Sequence, residues 1–485
     1  MARTELPMTS GFYVNRSSVV SNQMCSNSYV HLNDNTALAK EVLFGTAGLH
    51  QVATASDLNI DANRGSHVMD GIPYFVQGEM LYKITRTVDT SENETFTPVP
   101  LGTVLGSGRV SMADNGTQLC IQVPSGNGYI YNKDTPSFSQ ITDTDFTANG
   151  APQYVVYIDG YFLFTTNSKK FIISALNDGL SYNALDFGSA EADPDDIVAP
   201  VVLNNQLYIG GSETFEMFRN VGGAGFPFNR VEGGSLAYGV SSPFSLISSS
   251  GVFAFIGGGE HDDVSIYAFD GSSINVISSD AIDNILSKLS PTDLDNVFAW
   301  AYGQGGDRFI GWTANNITIV YEIKSGKWHE RKSLYNVDGA AIQKRWRVNS
   351  IVKAYNRVLV GDQNDGRIGE MDLEFYDEYG SNIISEFSTM PFSNLGNSIR
   401  FPSLELTVES GVGNSEDENP MITMSRSVDG VIFKNPITRR LGKIGDYRHR
   451  AIWRRNGRAG RLEVFKFSCS AKVKKVFVKL EADVL

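Results

Sequence analysis

NNQLYIG, Asn204–Gly210, is the stretch on which the fold turns. Two asparagines supply a tight turn, and the residues after it alternate between apolar and polar or small. A two-residue Asn/Asp/Gly turn with alternating flanks is the sequence form of a β-hairpin. The theme recurs as GEMLYKI from Gly78, GNGYIYN from Gly126, IDGYFLF from Ile158, DDVSIYAF from Asp262, NNITIVY from Asn315 and YNRVLVG from Tyr355. Its mean spacing of about 46 residues is that of propeller blades. One hairpin cannot bury its apolar face alone, so repetition at this period implies radially packed sheets. The expected fold is mainly β: a β-propeller of six or seven blades over 61–375, with an inserted helix.

Around that repeat the rhythm changes twice. Residues 1–60 read as an N-terminal arm with strands in FYVNRSSVV from Phe12 and SYVHLND from Ser28, then a helical or loop stretch around TALAKEVLFG. This arm is expected to pack with the C-terminal domain. Beyond 375, IISEFSTMPF, SLELTVESG, PMITMSRSVDGVIF, LEVFKFSCS and KKVFVKLEADV are longer alternating strands. They predict an antiparallel β-sandwich over 376–485. The inserted helix is SSDAIDNILSKLS, Ser278–Ser290, where Ile282, Ile285, Leu286 and Leu289 share one face. Ser279 or Asp280 can cap it and Pro291 stops it.

Composition narrows the function classes. The 485 residues include 47 glycines and 48 Tyr plus Phe, which suits strands and turns over helices. No run approaches the roughly 18 apolar residues of a membrane span, so no stable membrane insertion is expected. The start lacks the pattern of a secretory signal. Cys25, Cys120 and Cys469 are distant and odd in number, and are read as buried reduced thiols of a protein made in a cytoplasm. The formal net charge is −13, yet between Arg439 and Lys479 fourteen Lys/Arg face only Asp446 and Glu463. That surplus of twelve leaves −25 on the remainder of the chain. Such segregation speaks to partners rather than to fold.

Catalytic signatures are scarce, and neither cofactor nor metal is expected. The zinc-protease, C-x-x-C, nucleophile-elbow and phosphate-loop patterns are absent. GSGRVS from Gly106 has no helix after it, and reads as a blade-opening turn with Arg109 reaching a neighbouring loop. The cluster Glu260, His261, Asp262 and Asp263 reads as a solvated hairpin tip, since adjacent loop residues cannot converge on one ion unaided. Asp193, Asp195 and Asp196 raise a glycosidase reading, with Trp300, Trp312, Trp328 and Trp346 as sugar platforms. Strand-start capping and core packing are the competing explanations.

The basic run HRAIWRRNGRAGRLEVFKF differs in kind. It sets Arg448, Arg450, Arg454, Arg455, Arg458 and Arg461 around Trp453, in and beside a turn at Asn456–Gly457. Three readings stay open: an intersubunit surface pairing carboxylates of another copy, a solvated strand-turn-strand face, and a DNA contact.

Several segments together resemble one family. They are GSGRVSMADNG from Gly106, EADPDDIVAP from Glu191 with NNQLYIGGSETFEMF after it, AYGVSSPFSL from Ala237 and DAIDNILSKLSPTDLDNVFAWAY from Asp280. NNITIVYEIKSGKWHERKS and HRAIWRRNGRAGRLEVFKF continue the series in order. These are similar to the tail-hub, nozzle or packaged-DNA-stabilisation proteins of short-tailed bacteriophages. The resemblance implies a non-catalytic virion protein, a homo-oligomer forming a sixfold ring beneath the portal and adaptor. It further implies transient contact with duplex DNA in an exit channel, and docking of tail fibres, spikes or a needle. The alternatives are a phage propeller that binds or cleaves glycans, and a soluble propeller acting as an interaction hub in its host.

Overall fold

The structure is a computed structural model that describes residues 2–17, 20–34, 37–55, 62–190, 195–223, 225–393, 397–460 and 462–485. Among them, seven antiparallel sheets follow one another as blades. Blades one to four span 63–103, 111–140, 152–189 and 197–236. Blade five spans 239–276 and blade six 298–330. Blade seven takes three strands from 348–372 and its outermost strand, Gly48–Thr54, from near the chain's start. The first strand of each blade packs beside the first strand of the next, from Asn63–Met69 round to Val348–Ala354 and back. The ring is therefore closed, and the chain's two ends meet in one sheet.

The quoted theme falls once in each blade, but at two different hairpins. In blades three, four and seven it joins the first and second strands; elsewhere it joins the second and third. Asn204 and Asn205 have φ of +50° and +59°, and Tyr355 and Asn356 +54° and +59°. Positive φ at both central residues is the twist-matched two-residue turn.

Blades adhere through the apolar residues between them. Phe215, Phe253, Phe255 and Tyr267 fill the space between blades four and five, and Cys120, Ile130, Phe162 and Phe164 that between two and three. Each such side chain contributes about 1.5–3 kcal/mol on full burial. Second strands such as Tyr161–Thr166 are covered on both faces, which explains their unbroken apolar character. Between blades five and six the helix Asp280–Leu286 buries Ile282 and Leu286 in the largest core. Ser279 stands at its N-cap without a side-chain bond, and a second short helix, Pro291–Asp295, starts from Ser290, whose hydroxyl accepts the Asp293 N–H.

The C-terminal part is a sandwich built with help from the arm. Val476–Val484 pairs with Ser403–Val408 on one side, and with Ala2–Leu6 and Glu41–Gly45 on the other. Opposite lies a sheet of Ser385–Ser388, Val464–Cys469, Met421–Ser427 and Lys434–Arg440. That sheet continues into blade six, because Cys25–Ser26 pairs with Ser385–Ser388 and, in parallel, with Lys327–Glu330. A shared core running from Ile256 and Trp312 to Phe467 and Leu480 joins propeller to sandwich. One expectation is corrected here: EVLFG is not helix or loop but the strand Glu41–Gly45, paired with Ser28–Leu32. Its buried Val42 and Leu43 gain more from the sheet than the segment's helical propensity offers.

Candidate assembly surface

The basic run occupies one end of the sandwich. Ala451–Arg454 is a strand on Ser403–Val408, and Arg458–Ala459 pairs with Ile399–Arg400. Alternation along the strand sends Ala451 and Trp453 into the core and Arg450 and Arg454 outward. Trp453 is wholly buried, its ring edge-on to Phe467 and its Nε1–H donating to the Ile437 carbonyl at 2.8 Å. A DNA contact here could not use this tryptophan for stacking, because strand pleating puts the ring on the face opposite the arginines.

Arg450 is already engaged. Its Nε and Nη2 each donate to Glu405 at 2.6 Å, and Arg3 of the N-terminal strand reaches Glu405 at 2.5 Å and Glu481 at 3.0 Å. Arg448, Arg454, Arg455 and Arg458 are exposed and take part in no ion pair among the described residues. Arg461 lies outside the described residues.

Two features here were not read from the sequence. Arg400 and Arg458 are cross-strand partners, both exposed. Like charges directly opposite each other destabilise a strand pair, and neither side chain forms an ion pair with a described residue, although the backbone of Arg400 pairs with Leu485. Beside them the turn between Met421–Ser427 and Lys434–Arg440 exposes Val428, Val431 and Ile432 at 60%, 60% and 55%. Arg426 ties the two loops together. Its Nε and Nη2 each donate to the buried Glu463 at 2.6 Å, and its Nη1 donates to the Asn456 carbonyl. The result is a braced apolar turn, carrying the Asp429 carboxylate, beside arginines that form no ion pair with described residues. Interfaces are enriched in arginine and apolar contacts in this way.

Other candidate residues are spread elsewhere. The four tryptophans offered as sugar platforms are all buried: Trp300 packs at a tilt against Trp346, and Trp312 against Trp328. Asp195 accepts the N–H groups of Glu213 and Thr214 at 2.9 and 3.0 Å, which caps a strand turn, while Asp193 lies outside the described residues. Glu260, His261, Asp262 and Asp263 form an exposed tip, and no group of three or more ligating residues placed to hold a metal occurs among the described residues. The three cysteines are buried and unpaired, and burial pushes the Cys25 thiol up to about 12. No described helix is long and apolar enough to cross a membrane.

Arg109 was expected to reach a neighbouring loop, but its partners lie in strands of other blades. It stands just before blade two, donates from Nη2 to the Asn349 carbonyl of blade seven at 2.8 Å, and lies 3.7 Å over the Phe298 ring of blade six. Phe244, leading into blade five, is 5.7 Å away and stacks edge-on against Tyr154 of blade three. In a ring of seven, blades five and six stand opposite blade two. Arg109 therefore reaches across the inner ring of first strands, from blade two to blades six and seven.

Comparison with known proteins agrees with this architecture. The family model described as bacteriophage P22 Gp10, beta-propeller, matches residues 4–376, and that described as bacteriophage P22 Gp10, beta-sandwich, matches residues 385–485. No curated protein matches. Among solved structures, the WD40 β-propeller domain of Doa1 is similar at 9% identity and a TM-score of 0.38, covering 67% of this chain and 97% of that one. The computationally designed Ika8 protein is similar at 11% identity and 0.36, covering 66% and 99%. With both its propeller and its sandwich matched, the chain belongs to the bacteriophage P22 Gp10 family, the packaged-DNA-stabilisation proteins of the phage tail.

Proposed function

We propose that the protein is a tail hub: a ring of copies, six in number, that extends the DNA exit channel, helps retain packaged DNA and carries fibres, spikes or a needle. The observation that carries this reading is the pair Arg400 and Arg458, opposed across two strands and in no ion pair with a described residue, beside an exposed apolar turn. A surface of that kind is costly in an isolated chain and is relieved by a carboxylate-bearing neighbour. The −25 borne by the chain outside Arg439–Lys479 can supply it from the next copy. Cyclic rings use such head-to-tail contacts between unlike faces.

The reach of Arg109 across the ring supports the same assignment. A passage for duplex DNA cannot run through a ring of first strands that one arginine side chain spans, so it must lie between copies. An acidic wall suits a conduit, because each Lys/Arg contact with phosphate releases counterions and makes the polymer adhere. The glycan reading loses its platforms with the burial of the tryptophans.

Charge reversal tests the reading. Arg454→Glu with Arg455→Glu is expected to abolish the ring in native mass spectra and negative-stain images, alone or with the portal adaptor, while circular dichroism stays unchanged. A folded double variant that assembles normally would refute the interface. If that variant also held DNA less well, the arginines would belong to the polyanion instead.

A further inference from the structure

We propose that the pocket beside Arg109 is a binding site for a small oxyanion, of the phosphate or carboxylate type. It is a cavity of about 880 Å³ between blades six and seven, the helix Pro291–Asp295, the hairpin Lys332–Arg345 and Arg109. Its charge is lopsided. Arg109, Arg345 and Lys344 line it with the amides of Asn315, Asn349 and Gln363. The sole acid in the lining, Asp293, already accepts the Ser290 hydroxyl at 2.7 Å.

Arg109 is the informative group. Its Nε and Nη1 are buried without a hydrogen-bond partner among the described residues, although Nη2 is satisfied by Asn349. Burial, with Arg345 nearby, pulls its guanidinium down to about 9. Arg345 shares the same Phe298 ring at 5.8 Å, and its Nη2 donates to the Asn349 side chain at 3.0 Å. Two guanidinium groups thus converge on one aromatic ring and one asparagine, with no carboxylate bonded to either among the described residues. A buried charge without partner or hydrogen bonds is costly to desolvate. An oxyanion in the pocket offsets the charge of the pair and accepts hydrogen bonds from the lining side chains. Stacking on Phe298 fixes the plane of the Arg109 fork before the ligand arrives. Because Arg109 joins blade two to blades six and seven, a bound anion also clamps these blades together.

Thermal unfolding of the full chain in inorganic phosphate, in acetate, and in chloride at matched ionic strength reads this out. In the wild type, phosphate or acetate is expected to raise Tm saturably above chloride, and the arm that does so identifies the ligand type. Arg109→Gln and Arg345→Gln are each expected to weaken that apparent affinity at least tenfold, with Arg458→Gln unchanged. No increment over chloride in the wild type overturns the proposal. So does an increment that survives in Arg109→Gln and Arg345→Gln, or one lost only in Arg458→Gln. Should Arg109→Gln fail to fold by circular dichroism, Arg345→Gln decides by the same criteria.

Discussion

Arg426 and Glu463 form a two-pronged ion pair inside the sandwich, with both contacts at 2.6 Å and the carboxylate fully buried. Burial holds the Glu463 carboxyl above the usual range despite the guanidinium beside it. Removing one partner of such a pair strands the other charge, which typically costs about 3–5 kcal/mol. Arg426→Ala is therefore expected to lower Tm sharply in thermal denaturation. It also frees the Asn456 carbonyl, so the loop carrying Arg455 and Arg458 should gain proteolytic sensitivity. Glu463→Gln, which leaves Arg426 without its anion, should fall between that variant and wild type.

The Glu405 cluster gives a pH signature. Hydrogen bonds from Arg450 and Arg3 outweigh the opposing effect of burial and hold its carboxyl at about 2 against an ordinary 4.5. A folded-state value below the unfolded one adds stability above the ordinary range and loses it as pH falls through the folded value. Arg450 and Arg3 are largely exposed, so water screens the pair and the contribution is about 1 kcal/mol. Glu405→Gln should be less stable than wild type at neutral pH by that amount. The gap should close between pH 4.5 and 2, and a gap independent of pH would show that the charge is irrelevant.

Local pattern carried most of the propeller and little of its closure. Asn204–Asn205 and Tyr355–Asn356 announce their turns because few residues tolerate two successive positive φ values. That Gly48–Thr54 completes blade seven is written in no local pattern, since a strand's alternation names its faces but not its partner. The basic run shows a signal that was present but unused. Period-two spacing already separates Arg450 and Arg454 from Ala451 and Trp453, and so places the tryptophan inward. Arg400 opposite Arg458 could not be foreseen, because the register between distant strands is a product of tertiary packing.

Closure of the ring rests on a tight approach at Gly48. A Cβ there would stand 2.4 Å from the Asp377 carbonyl oxygen and 2.5 Å from that of Phe375, both backbone atoms that cannot swing aside. Gly48→Ala should therefore push Gly48–Thr54 off Arg367–Asp372. Overpacking of this kind costs about 1–3 kcal/mol. Hydrogen exchange should show blade seven losing protection before blades three and four, and uniform exchange across the blades would contradict closure by this strand.

The apolar turn separates assembly from folding. Val431 and Ile432 are more than half exposed, so replacing both by Asp removes little buried area, and exposed substitutions usually change stability by within about 0.5 kcal/mol. If the turn is buried in the ring, the same pair places two carboxylates in a water-excluded contact, where unpaired charge is costly. Val431→Asp with Ile432→Asp should keep the wild-type Tm as an isolated chain and fail to form rings at micromolar concentration. Arg454→Glu with Arg455→Glu should fail likewise, but its defect should depend on salt, since screening weakens charge contacts and leaves apolar ones intact. A ring that tolerates the two aspartates would move the interface away from this end of the sandwich, and Arg400 and Arg458 would then require a different anionic partner.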